Sequence, residues 1–524
     1  MEYRSSVTNT PSIFNDVIGP VMRGPSSSHC AASVRIGRMA RDLMGGELKE
    51  IQIEYDANGS LAATHESQGS DMGLFGGLLG WDATDDRLVD SADEIRKTGI
   101  RVYIKITDFG AEHPNTYKLS LKNAHEQHTM TALSTGGGMI EVIEIDGAMV
   151  SIAGDYYETL IFIGSGEKEI LEHLIENVRS DEINLLRGDD IRFIEIKSQR
   201  QLDDKILSSL QSRFNIKGIR TIPPVLPMLS RKQMAVPFTD TAGLLIYNEG
   251  KRLEFWELAV HYEAARGNIS HDDVFEKMRN IVEIMETSIE AGIQGTQNED
   301  RILGYQSGAF LASMESGKLF DGGILNRMIL FTTVMMEMKS AMGVIVAAPT
   351  AGSCGVLPGA VIGAAKEMGL STDDMTRAML AAGLLGVLIA ARSTFAAEVC
   401  GCQAECGAGS GMAAAALVQL AGGTARQAVD AASMALQNIF GMTCDPVANR
   451  VEVPCLGKNI MAVGNALACA NMALANFDAV IPLDEVIDAM DKVGKSIPHE
   501  LRCTALGGLS VTDTSKEIKK KLDS

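Results

Sequence analysis

The feature that most limits the possible folds is a cysteine-bearing stretch at 401–458. It holds Gly401-Cys402-Gln403-Ala404-Glu405-Cys406-Gly407, then an alanine-rich run, then Cys444-Asp445-Pro446-Val447 and Val453-Pro454-Cys455. Asp445-Pro446 and Pro454 disfavour helix around two of the cysteines. Thiols on irregular loops can converge on one centre while the helices beside them fix the loops. Three thiolates can hold three corners of a [4Fe–4S] cluster and leave one iron open, a Lewis acid for a hydroxyl and a carboxylate. Cys402, Cys444 and Cys455 are the candidate ligands. Two other readings stay open. Free cysteines in an alanine-rich bundle often only pack; that is the reading for Cys469 and an equal alternative for Cys30, Cys354, Cys400 and Cys503. Zinc at Cys400, Cys402 and Cys406 is the other, although a C-x-C-x3-C spacing lacks the paired C-x2-C knuckles of structural zinc sites.

A chain of 524 residues exceeds what one core usually covers, so two or three domains are expected. The net charge of −20 argues against nucleic-acid and anionic-membrane partners, which need basic patches. Nine cysteines in so long a chain do not suit a secreted disulfide framework. The N-terminal 17 residues have no apolar signal core, and the longest apolar run, 378–391, falls short of the ~20 residues of a membrane span. A buried helix and a cytoplasmic protein are expected.

Along the chain the periodicity changes twice. Residues 1–148 mix one helical segment (34–43) with alternating, strand-like segments at 51–55, 100–106 and 139–145. Gly-rich turns are expected at Asn58-Gly59-Ser60, Gly76-Gly77 and Gly136-Gly137-Gly138. This is an α+β domain. Residues 149–222 read as strands at 159–163, 191–196 and 218–222 with helices at 167–178 and 203–211, a small ferredoxin-like module. The run Ile222-Pro223-Pro224-Val225-Leu226-Pro227 reads as a stiff linker. From 228 onward the pattern is helical: 255–266, 272–291, 324–338, 375–391, 412–420 and 425–439, with Ser371-Thr372-Asp373-Asp374 as a cap and 516–521 as a solvated helix end. The fold class is multidomain, with an all-α C-terminal part.

Several motifs go beyond periodicity. The N-terminal part holds Gly24-Pro25-Ser26-Ser27-Ser28-His29, Gly59-Ser60-Leu61-Ala62, His113-Pro114-Asn115-Thr116 and Ser134-Thr135-Gly136-Gly137-Gly138. The C-terminal part adds Ala348-Pro349-Thr350-Ala351-Gly352-Ser353 and Val451-Glu452-Val453-Pro454-Cys455 to the cysteine motifs. Together they resemble the bacterial iron–sulfur-dependent L-serine dehydratases (L-serine ammonia-lyases) over nearly the whole chain. The resemblance implies a fused arrangement: a β-type domain at 1–148, a module similar to a degenerate ACT domain at 149–222, and a helical α-type domain at 223–524 that carries the cluster. It implies Cys402, Cys444 and Cys455 as ligands of a [4Fe–4S] cluster and His29 and His113 as candidate bases, a role imidazole fills near neutral pH. It further implies Ser26, Ser27, Ser28, Gly59, Ser60, Ser134, Thr135, Gly136, Gly137, Thr350, Gly352 and Ser353 around an amino-acid substrate. The plain alternatives are a turn and cap at 26–28, a Gly-rich turn at 134–138 and a helix cap at 350–353.

The implied reaction is deamination of L-serine to pyruvate and ammonium, by α-proton abstraction and Lewis-acid-assisted loss of the β-hydroxyl. No pyridoxal phosphate is expected, and association into a homo-oligomer is. Departures from the family pattern leave room for L-threonine, L-cysteine or another β-substituted amino acid, or for a non-catalytic amino-acid sensor. Gln68-Gly69-Ser70-Asp71 stands where a histidine-containing run is usual, with His65 nearby but out of register. Lys339 stands where asparagine is usual, to meet an extra anionic group or to point to solvent. Cys354, Cys406 and Cys503 also replace other residue types.

Overall fold

A computed structural model describes residues 10–522, apart from 67, 189 and 299. Packing divides the chain into two compact units, Ser26–Met234 and a second that joins the segment ending at Pro25 to everything from Ala235 onward. The α+β and ferredoxin-like segments lie together in the first of these.

The first unit is built on a six-stranded sheet. Helix α1 (Ala32–Leu43) leads to β1 (Glu50–Asp56), helix α2 (Ser70–Leu78) and β2 (Arg101–Thr107), and a meander follows: β3 (Thr116–Lys122), β4 (Gln127–Gly136), β5 (Met139–Ile145) and β6 (Ala148–Ile152). The order is β2-β1-β3-β4-β5-β6, with β1 and β2 parallel and the rest antiparallel. Alternation in β1 buries Ile51, Ile53 and Tyr55 beneath α1, where Ile36, Met39 and Leu43 face the same core. Gly76-Gly77 is not the expected turn, because both residues lie inside α2. A Cβ on Gly77 would stand 2.2 Å from the Val34 carbonyl oxygen, and one on Gly37 would stand 2.4 Å from that of Leu74. These glycines let two helices touch backbone to backbone, a role that periodicity cannot separate from turn formation.

The second part of this unit is a βαββαβ fold: β7 (Tyr157–Ile163), α3 (Glu167–Asn177), β8 (Glu182–Arg187), β9 (Arg192–Ser198), α4 (Asp204–Arg213) and β10 (Ile216–Ile222). Its antiparallel order is β10-β7-β9-β8, the ferredoxin-like arrangement. Strand β8 escapes a periodicity reading because it is an edge strand whose residues are all partly or fully exposed. One sheet face packs Ile161, Ile163, Ile194 and Ile196 beneath the helices. The opposite face sends Leu160, Phe162 and Phe193 into the core of the larger sheet.

The helical unit contains α5 (Phe255–Gly267), α6 (His271–Ile293), α7 (Ile324–Ser340), α8 (Thr372–Ala390), α9 (Ala408–Leu420), α10 (Ala425–Gln437), α11 (Cys455–Leu474) and α12 (Leu483–Ser496). The long apolar run is α8, buried from Ala378 to Ile389. Its start is fixed by a reciprocal cap in which Ser371 Oγ accepts from Asp374 N–H and Ser371 N–H donates to the Asp374 carboxylate at 3.0 Å. Gly383 and Gly386 of α8 leave room for Ile13 and Val17, so the N-terminal segment Ile13–Val17 lies on this helix. The unit is not wholly helical: Val21–Arg23 pairs antiparallel with Val344–Val346. Among the described residues, no helix is long and apolar enough to cross a membrane.

Candidate active site

In the first unit, hydrogen bonds join the four N-terminal motifs. Ser26 caps the short helix Ser27–Ala31 through its carbonyl, which accepts from Cys30 N–H at 2.9 Å. Its hydroxyl lies 2.9 Å from His29 Nδ1, and His29 Nε2 lies 3.1 Å from Thr64 Oγ1. Thr64 already donates to the Ser60 carbonyl at 2.7 Å. The Thr64 oxygen therefore accepts from His29 Nε2–H, which leaves the basic lone pair on Nδ1, facing the Ser26 hydroxyl. Ser60 N–H donates to the Pro114 carbonyl at 2.9 Å, and Ser60 Oγ donates to Asn115 Oδ1. Asn115 N–H donates to His113 Nδ1 at 3.1 Å, and the Asn115 carbonyl accepts from Ser134 N–H at 3.0 Å. Ser134 Oγ closes the circuit on the Ser28 carbonyl at 2.6 Å. Gly59 is demanded by this crowding, because a Cβ there would stand 2.7 Å from the Pro114 carbonyl oxygen.

Environment separates the histidines. His29 is 8% exposed, and burial lowers its pKa from 6.5 to about 4. Burial also lowers His113, which is half-buried. Both imidazoles are thus held neutral, the form a base requires. Gly136, Gly137 and Gly138 all take left-handed φ values and make the β4–β5 turn, with Thr135 exposed at its edge. Sequence reasoning gave His65 no role beyond standing out of register with the family pattern; it stacks on Tyr55 and places Nδ1 2.6 Å from Asp71 Oδ2. The Asp71 hydrogen bond raises its pKa. Thr64 and Asn115 were passed over, although Asn115 stands inside the His113-Pro114-Asn115-Thr116 motif.

In the helical unit, Cys402, Glu405 and Cys444 bring their ligand atoms within 4.8 Å of one another. Cys402 precedes the short helix Gln403–Gly407. Cys444 lies on irregular chain, where its N–H donates to the Leu501 carbonyl and its carbonyl accepts from Cys503 N–H, both at 2.8 Å. Cys455 differs from expectation: it is not on a loop but is the first residue of α11, directly after Pro454. It lies outside the triad, yet burial and then the Cys402 charge raise its thiol pKa. At Cys444 the neighbouring thiols of Cys402 and Cys503 are the leading causes of a strong rise, ahead of burial. A cation answers this side: Lys458 Nζ sits 3.8 Å from Cys402 Sγ and 3.0 Å from Asp445 Oδ1.

Thr350 and Ser353 form a capping pair around Ala351–Ser353, and Thr350 Oγ1 donates to Glu405 Oε1 at 2.6 Å. Gly352 is fixed by the same carboxylate, since its Cβ would stand 2.8 Å from Glu405 Oε1. The Gly352 carbonyl accepts from Asn459 Nδ2 at 2.9 Å, and Asn459 reaches the Cys455 carbonyl at 2.8 Å. Burial raises the Glu405 carboxyl to about 7, against the Thr350 hydrogen bond. Glu405 was legible only as a letter in the cysteine motif, and Asn459 gave no signal at all. Lys339 does not point to solvent: it is 1% exposed and donates to the Val451 carbonyl. A buried sulfur set with a carboxylate and a cation beside it suits a metal centre, because bound metal offsets the cost of deprotonating thiols held in low dielectric.

Residues 250–510 match the family described as serine dehydratase alpha chain. The chain is 36% identical over 285 residues to the "Probable L-serine dehydratase, alpha chain" of Bacillus subtilis (strain 168), covering 54% of this chain and 95% of that one. It is 33% identical over 228 residues to the "Probable L-serine dehydratase, beta chain" of the same organism, covering 42% of this chain and 99% of that one. Over 505 residues it is 25% identical to "L-serine dehydratase 2" of Escherichia coli (strain K12), covering 93% and 96%. These matches define a lyase of the serine dehydratase type, and its cysteine–carboxylate group is one that could hold a metal. The chain belongs to the L-serine dehydratase family, with β- and α-type portions fused.

Proposed function

We propose that this chain deaminates L-serine to pyruvate and ammonium, and that Cys402, Cys444 and Cys455 hold a [4Fe–4S] cluster for the reaction. The observation that carries this is the convergence of buried Cys402 and Cys444 with partly buried Glu405 in a chain of this family. When bound, the cluster supplies a Lewis acid for the substrate's hydroxyl and carboxylate.

The chain's own groups do the rest. Neutral His29 takes the α-proton through Nδ1, with Ser26 and Thr64 fixing its tautomer and ring plane. His113, whose Nδ1 accepts the Asn115 main-chain N–H as His29 Nδ1 faces the Ser26 hydroxyl, is the second candidate. Ser26, Ser27 and Ser28 with Ser134, Thr135, Gly136 and Gly137 offer hydroxyls and amides to a carboxylate, and Gly59 and Ser60 hold the loop that carries Thr64. Thr350, Gly352 and Ser353 position Glu405 beside Cys402. Loss of the α-proton and the β-hydroxyl leaves aminoacrylate, which tautomerises to an imine and hydrolyses to the keto acid.

The βαββαβ fold is read as ACT-like, the three portions as 1–148, 149–222 and 223–524, and the working form as a cytoplasmic homo-oligomer without pyridoxal phosphate. Ammonium release from L-serine, L-threonine and L-cysteine by anaerobically prepared protein tests the activity. The reading expects L-serine to turn over fastest. Binding of L-serine without ammonium release would overturn it in favour of a sensor.

A further inference from the structure

Cys503 is the one cysteine that is not buried. It stands in the left-handed region, with φ +61°, a conformation that a residue other than glycine keeps only where its surroundings hold it. It is tied to Cys444. The chain at 501–503 runs parallel to that residue, with Arg502 opposite it. Cys444 N–H donates to the Leu501 carbonyl, and the Cys444 carbonyl accepts from Cys503 N–H, both at 2.8 Å. Further along, Leu509 N–H donates to Asp445 Oδ2 at 3.0 Å and Ser510 Oγ to the Pro446 carbonyl at 2.8 Å, which fastens the two segments together. Standard bond lengths and the 2.8 Å contact hold the α-carbons of Cys444 and Cys503 within about 6.7 Å of each other, inside the range that a disulfide spans. The Cys503 side chain packs on the cluster formed by Ala397, Cys402 and Cys444. Cys402 and Cys444 are 1% and 3% exposed, so an oxidant in solution meets Cys503 before either of them.

We infer that Cys503 is a redox-modification site paired with Cys444: hydrogen peroxide oxidises the Cys503 thiol, and Cys444 then closes on it as a disulfide. In the first step the O–O bond breaks, the Cys503 sulfur takes one oxygen as a sulfenic acid, and the other leaves as water. In the second step the Cys444 sulfur attacks the Cys503 sulfur, the S–O bond breaks, and the hydroxyl leaves as water with the Cys444 proton. Two thiols and one peroxide thus become one disulfide and two waters, and thiol–disulfide exchange with a small thiol restores the pair. The bond withdraws one of the three cysteines read as metal ligands, so the oxidised chain does not load until it is reduced. That consequence rests on the cluster reading above; the disulfide itself does not.

The test uses the full chain, wild type and Cys503→Ser, freed of metal by a chelator without oxygen and then given hydrogen peroxide. Remaining thiols are alkylated, and the digest is mapped by mass spectrometry. The wild type is expected to lose two thiols to a peptide pair that joins Cys444 to Cys503 and separates again with dithiothreitol. Under the same treatment Cys503→Ser keeps Cys444 as an alkylated thiol. Cys444 joined to Cys402 instead, Cys503 recovered as a thiol or oxidised without a partner, or Cys444 oxidised as fast in Cys503→Ser would each overturn the inference. Reconstitution with iron and sulfide reads the consequence. Uptake by the wild type should fall after peroxide and return with dithiothreitol; uptake unchanged in chains that carry the disulfide would overturn the block on loading. A chain that takes up no cluster even when fully reduced overturns the cluster reading, and the peptide map still decides the disulfide.

Discussion

His29→Asn gives the sharpest reading of the first unit. His29 is enclosed, and burial lowers its pKa from 6.5 to about 4. A histidine whose folded pKa is lowered contributes stability that is full above its unfolded value and is lost as pH falls toward the folded value. At pH 5 the wild type has therefore lost about 2 kcal/mol through this one group, at roughly 1.36 kcal/mol for each pH unit below the unfolded value. The assay is urea unfolding at pH 7 and pH 5 for both proteins. The wild type should lose about 2 kcal/mol more than His29→Asn across that interval. The kinetic counterpart is an acid limb of kcat/KM near 4 from this residue, and a fall of roughly 100- to 10,000-fold in His29→Asn. Equal pH dependence of unfolding in the two proteins would refute the burial argument. A variant with near wild-type kcat/KM would refute the role as base.

Other outcomes follow from the same kind of reasoning. Glu158 is 1% exposed, neither carboxylate oxygen accepts a hydrogen bond among the described residues, and burial raises its pKa well above the usual range against the Lys197 ammonium 3.8 Å away. Its carboxyl is a cost once pH rises through the unfolded value toward the folded one, so Glu158→Gln should stabilise by about 1–3 kcal/mol at pH 8 and give no gain at pH 4, read by chemical unfolding. Gly77→Ala places a Cβ against backbone atoms of α1 that cannot swing away. It should cost about 1–3 kcal/mol, outweighing the ~1 kcal/mol that alanine adds to a helix interior; an unchanged Tm would show that the two helices separate freely. Cys444→Ser should lose iron and activity together, and a variant with full metal content would remove Cys444 from the ligand set.

The elements that could be read from sequence are those with one dominant period. Strands β1 and β5 and helices α6 and α8 match their patterns within a few residues, because each buries one clear face or is buried throughout. Edge strand β8 has no such face. Gly76-Gly77 carries the letters of a turn and the function of a helix contact, and only the neighbouring helix distinguishes them. The candidate site shows the same division. Cys402 and Cys444 could be paired from their motifs, whereas the Ser26–His29–Thr64–Ser60–Asn115–His113 circuit joins segments far apart in the chain. Glu405 acquires its raised pKa from enclosure, a property that no residue type announces. Lys339 could be read as meeting an anionic group or as facing solvent, and its enclosure, with the ammonium on the Val451 carbonyl, is visible only in the fold.

Iron and acid-labile sulfide per chain, measured on protein purified without oxygen, with absorbance recorded before and after L-serine, tests the metal centre most directly. One [4Fe–4S] cluster per chain and a spectrum that changes on adding L-serine is the expected result. Active protein that contains zinc, or no metal, would contradict it.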